Sequence, residues 1–151
     1  MTDPHIVTRV LHETMAYPAH DPRKASAEYT KVHHHLVYEL DEGCWICGQR
    51  QSQNPPRIHN ETHHAIIEWA VANAIDPSKL IADFPAMGEA TDPALREFID
   101  SEGGLLVLCP RHHRGGLYGI HSITYPAWVC QKYLRNGYDL ATGQVGTYPD
   151  A

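Results

Sequence analysis

The sequence predicts an α+β fold, mainly helical, in which two short strands and a helix gather around a structural metal ion. A helical insertion separates the two strands. Two signatures and one apolar run carry that expectation. Cys44-Trp45-Ile46-Cys47-Gly48 and Cys109-Pro110-Arg111-His112 repeat a Cys-x2-Cys/His spacing, in which a tight turn aims two ligands at one tetrahedral zinc ion. Leu105-Leu106-Val107-Leu108 runs directly into the second signature and has the length of a buried strand. Closing a Cys3His site from Cys44, Cys47, Cys109 and His112 would pin two distant parts of the chain together.

Length and composition fit one ordinary domain: 151 residues, 42% of them hydrophobic and 20% charged, enough for a modest core. No apolar run approaches a membrane span. The start, Met1-Thr2-Asp3-Pro4-His5, lacks the basic and apolar segments of a secretory signal. A cytoplasmic setting is therefore expected, where four cysteines point to metal binding or catalysis ahead of disulfides. The formal net charge of −6 argues against a broad nonspecific nucleic-acid surface. It leaves room for local phosphate contacts at Arg111, Arg114 and Lys132. Histidine is the outlier, with twelve residues against twelve for lysine and arginine combined.

In chain order, residues 1–25 read as an N-terminal arm without clear periodicity. Ser26 is placed to cap a helix over about 27–41, with Tyr29, His33, Leu36 and Leu40 on one face and Val32 and Val37 beside it. The polar stretch Gln51 to Pro56 predicts a loop. Arg57 to His63 alternates, which predicts a strand presenting Glu61 and His63 on one side. Beyond His64 the period changes, and Ile66, Ile67, Trp69, Ala70, Val71 and Ala74 predict a largely buried helix. Asp76-Pro77 and Asp92-Pro93 each cap a short helix, the first through Phe84 and the second to about Asp100, where Gly103-Gly104 stops it. After the strand 105–108 comes a glycine-containing loop from Arg114 to Ser122. Thr124 or Tyr125 then starts a helix carrying Trp128, Val129, Cys130, Tyr133 and Leu134, closed by Asn136-Gly137. Residues 138–151 read as an irregular tail. The domain thus spans 26–137, with a ββα-metal core from about 57–64 and 104–136 and the helical insertion at 65–103.

The chemistry centres on His63-His64. Adjacent residues at a strand end point in different directions, so one can hold a metal ion while the other, with an ordinary pKa near ~6.5, takes a proton from water. Glu61 is placed to orient one imidazole by a hydrogen bond. His112 is preferred over His113 as the fourth zinc ligand because it repeats the first signature's spacing. His113 and His121 then compete for the remaining position at a second metal site. The run His33-His34-His35 is a poor chelator, since successive helical residues diverge by about 100°.

Cys44-x2-Cys47, Glu61-Thr62-His63-His64 and the segment from Leu105 to His113 together resemble the HNH endonuclease family, in particular its small zinc-stapled bacterial and phage members. The resemblance covers about residues 44–121. It implies a metal-dependent hydrolase of DNA phosphodiester bonds, acting on double-stranded DNA and leaving 5′-phosphate and 3′-hydroxyl ends. It further implies His64 as general base and His63, with His113 or His121, as ligands of a second divalent cation. Imidazole ligands suit Zn2+, Ni2+ or Mn2+ better than Mg2+. One departure stands out: the family's Asn just before the second strand is replaced by Gly103-Gly104. Its base-orienting role would pass to a backbone carbonyl or to Asn60, or be absent. The rival expectation is a zinc module that binds nucleic acid or a protein partner without cutting. A nucleobase deaminase would need an H-x-E or C-x-E element ahead of P-C-x2-C, and none stands in a suitable place.

Overall fold

Ser26 opens the first helix. Its hydroxyl accepts the Tyr29 N–H at 2.8 Å, satisfying one of the amides that a helix start leaves unpaired. The computed structural model, which describes residues 24–125 together with residues 8, 20, 22, 128 and 132, carries this helix, α1, over Ala27–His34. It widens into a π-helical turn at His35–Glu39. Val32, Leu36 and Val37 are buried. Leu40 is exposed, because the helix has ended before it and Asp41, at φ 49°, turns the chain toward the first cysteine pair.

The first strand, β1, covers Glu61–His64, starting later than the Arg57–His63 strand expected. Arg57 at φ 84° breaks the extended path, and Nδ2 of buried Asn60 donates to the Gln49 carbonyl at 2.8 Å. These residues therefore belong to the loop beneath the first signature. The second strand, β2, is Leu105–Leu108. The two pair antiparallel, with His63 opposite Leu106 and His64 opposite Leu105. α1 and the π-helical turn that follows it pack on this sheet through Val32, Leu36 and Val37 against Leu105 and Val107.

Between the strands, α2 spans Pro77–Asp83 and α3 spans Asp92–Ile99. Asp76 caps α2 through the Ser78 N–H at 2.9 Å. Thr91, not Asp92, caps α3 through the Ala94 N–H, leaving Asp92 in the first turn, where its charge suits the helix dipole. The expected α-helix over 66–74 is instead a 3-10 run at Trp69–Ala74. Its i→i+3 bonds include Val71 N–H to the Glu68 carbonyl at 3.0 Å. The insertion buries its own cluster of Leu80, Met87, Leu95, Phe98 and Ile99.

The insertion rejoins the sheet at Gly104, whose carbonyl accepts the Ala65 N–H at 2.8 Å. A Cβ at Gly104 would run into the carbonyl oxygens of Phe98 and Ile99. No asparagine fits there, a steric reason for the departure noted in the sequence. After β2 the second signature folds as a short helix, α4, at Pro110–Arg114. Tyr125 and Trp128 are helical, with the Trp128 N–H bonded to the Thr124 carbonyl at 2.9 Å. The rest of the expected closing helix with Cys130, most of the arm and the tail at 138–151 lie outside the described residues. Among the described residues no helix is long and apolar enough to cross a membrane.

Candidate metal centres

The first centre is built by two turns. Gly48, at φ 76°, adopts the left-handed conformation that glycine tolerates without strain, and its N–H bonds the Cys44 carbonyl at 2.7 Å. The Trp45 N–H bonds the Val107 carbonyl at 2.8 Å, fastening this turn to β2. Cys109 caps α4 and His112 follows within its first turn. Cys44, Cys47, Cys109 and His112 present ligand atoms within 4.8 Å of one another and could hold a metal ion such as zinc. The separations are 3.6 Å for Cys44 Sγ to His112 Nδ1, 3.9 Å for Cys47 Sγ to Cys109 Sγ and 3.2 Å for Cys109 Sγ to His112 Nδ1. Tetrahedral zinc requires S···S edges of about 3.8 Å and S···N edges of about 3.6 Å, given Zn–S of ~2.3 Å and Zn–N of ~2.0–2.1 Å. The donor set therefore fits the ion. Cys44, Cys47 and Cys109 are free of disulfides.

Electrostatics agree with that fit. Hydrogen bonds from Cys109 and Cys47 push the Cys44 thiol down, and the same cluster pushes Cys109 up. Burial alone would lower His112, but hydrogen bonds with Cys44 and Cys47 raise it to about 9. Negative charge and protons are thus shared among four crowded groups, and a divalent cation would displace the protons and neutralise the charge. Trp128 seals the site from behind. Its Nε1–H donates to the His112 carbonyl at 2.8 Å, and its ring stacks on Trp45 at 5.6 Å.

The second centre shares α4. His63 on β1, His113 on α4 and His121 in the following loop bring one ring nitrogen each within 4.8 Å of the others. Nε2 of His121 lies 3.2 Å from Nε2 of His113, and the His63 ring centroid is 4.8 Å from that of His121. The loop doubles back because the Gly119 N–H bonds the Gly115 carbonyl at 2.7 Å and the Ile120 N–H bonds the His112 carbonyl at 3.0 Å. Both His113 and His121 therefore join the cluster, between which the sequence could not choose. Glu61 takes the hydrogen bond from His113 Nδ1–H, which leaves Nε2 with its lone pair for a cation, the arrangement common behind metal-binding histidines. Burial lowers the His113 pKa, and the Glu61 hydrogen bond pulls the other way. Glu68 adds a carboxylate 3.8 Å from His63 Nε2. The cluster runs from buried His63 through half-buried His113 to exposed His121, so one side opens to solvent.

His64 is not in this cluster. Strand alternation turns it to the α1 face of the sheet, where it lies under the Tyr29 ring at 5.7 Å and its Nε2–H donates to Asp100 Oδ1 at 3.1 Å. It lines a cleft of about 320 Å3 with Lys24, Ser26, Tyr29, Trp69 and Asp100. Asn60 takes no part: its side chain bonds Gln49 and Asn54 in the loop. Of the three cations expected to meet phosphates, each has an internal contact. Arg114 bonds Glu61, the Arg111 guanidinium sits 3.8 Å over the Tyr118 ring, and Lys132 Nζ sits 3.6 Å over Trp45. His33 donates to Thr62 Oγ1 at 3.1 Å, helping to fasten α1 to β1, while His34 and His35 pair with Glu39 at the surface. Asp100 was missed in the sequence, where it reads only as a helix end.

Comparison with protein-family models, with curated proteins and with solved structures found no match for this chain.

Proposed function

We propose that the protein is a metal-dependent endonuclease of the HNH type that hydrolyses phosphodiester bonds in double-stranded DNA, built on a ββα-metal core of β1, β2 and α4. The observation that carries this reading is the convergence of His63, His113 and His121 beside the Cys3His group, with His112 and His113 as neighbours on one short helix. In this reading Cys44, Cys47, Cys109 and His112 hold a structural zinc. His63, His113 and His121 hold a second divalent cation: Mg2+, Mn2+, Ni2+ or Zn2+. That cation, when bound, supplies Lewis-acid stabilisation of the scissile phosphate and the leaving 3′ oxygen.

The chain's own residues do the rest. Glu61 keeps the His113 proton on Nδ1, so Nε2 faces the cation. His64 is the base this reading assigns to the attacking water; it stands on the α1 face of the sheet, so the reading requires the scissile phosphate to reach from that face to the histidine cluster. Arg111, Arg114 and Lys132 would have to exchange internal partners for phosphates. Those internal contacts also favour a second reading, a zinc module that docks a partner without cutting. The test is nicking of supercoiled plasmid with each divalent ion in turn. The nuclease reading expects metal-stimulated conversion to the open circle, eliminated by chelator, and a loss of ~100-fold or more in His64→Ala. Equal cutting by wild type and His64→Ala would remove the assigned base, and no cutting with any ion would favour the docking module.

A further inference from the structure

We propose that Asp100 is a positioning residue that holds His64 in the Nε2–H tautomer and keeps Nδ1 available to a water molecule. Its catalytic meaning rests on the nuclease reading, whereas its geometry does not. A carboxylate only accepts hydrogen bonds, so the imidazole nitrogen that faces it carries the proton. Nε2 faces Asp100 Oδ1 at 3.1 Å, and a neutral imidazole has a single N–H, so Nδ1 keeps its lone pair. The pair is well shielded, with side-chain exposures of 4% for His64 and 15% for Asp100, which strengthens the bond relative to one in water.

The carboxylate is itself fixed. Its second oxygen, Oδ2, accepts the Ser26 hydroxyl at 2.6 Å, and Ser26 is locked as the cap of α1. Asp100 ends α3, and the turn after it is tied to β1 by the Ala65 N–H to Gly104 bond. Residues 26, 64 and 100 thus meet from three elements, with the Tyr29 ring limiting rotation of the imidazole. This supplies, from a different residue and by a charged acceptor, the orientation that Gly103-Gly104 cannot give. A group that sets the tautomer of a base in this way acts through that base, not on the substrate.

The experiment uses the full chain labelled with 15N-histidine, at a pH where histidines are neutral. Long-range proton–nitrogen correlation reports which ring nitrogen is protonated, and His64→Gln identifies the His64 signals by their loss. Wild type is expected to give the Nε2–H pattern alone. Asp100→Ala is expected to give a mixture of tautomers, with plasmid nicking reduced ~100-fold and zinc content unchanged. Ser26→Ala, which removes the support of Oδ2 together with the α1 cap, serves if Asp100→Ala fails to fold, and is expected to shift the pattern the same way to a smaller extent. A wild-type Nδ1–H or mixed pattern, or a folded Asp100→Ala with the wild-type pattern, overturns the proposal. Absence of nicking with the Nε2–H pattern intact would remove the nuclease reading and leave the Asp100–His64 pairing standing.

Discussion

Cys109→Ser is expected to give a chain that neither keeps zinc nor holds its native fold at room temperature. The thiol it removes is one of four side chains that could hold a zinc ion as a clamp between the turn at Cys44–Gly48 and α4. Binding at a structural zinc site contributes on the order of 10 kcal/mol, comparable with the whole stability of a small domain at about 5–15 kcal/mol. Little else replaces it. The described core is divided into three small clusters, and the one around Trp128 contains Cys44 and Cys109 themselves. Circular dichroism and elemental analysis of the purified variant check this. A Cys109→Ser protein that melts like wild type would mean that the clamp contributes little.

His113→Ala is expected to act at the other centre and spare the first. It removes the imidazole that faces His121 across 3.2 Å and releases Glu61 to Arg114 alone. Binding of Mn2+ or Ni2+ to the zinc-loaded protein, followed by titration calorimetry, should weaken at least ~100-fold. Glu61→Gln, which keeps the ligands but loosens their support, should weaken it by roughly 10- to 100-fold. Zinc content stays at the wild-type level in both. An unaltered isotherm in His113→Ala would separate that residue from any cation.

The two centres differ in how far the sequence reveals them. The Cys3His group was legible because its information is local: two short turns, each with a spacing that has one common chemical use. Strand alternation likewise separated His63 from His64 before any coordinates. The limits appear where the answer depends on distant partners. Nothing near Asp100 tells that it will meet Ser26 and His64, which are 74 and 36 residues away. The apolar spacing of Ile66 to Ala74 fits an α-helix, yet the chain forms 3-10 turns at Trp69–Ala74. Lys132 reads as a phosphate contact by charge alone, and only the fold shows Trp45 beneath it. Gly103-Gly104 reads as a missing functional residue, and only the close carbonyls of Phe98 and Ile99 explain why it stands there.

Metal stoichiometry of the purified full chain addresses the two-centre account most directly. Elemental analysis should find one equivalent of zinc that survives mild chelation, and back-titration should add one exchangeable divalent ion that His113→Ala fails to take up. Protein that arrives without zinc and gains none on incubation, or that binds a single ion indifferent to His113, would contradict it.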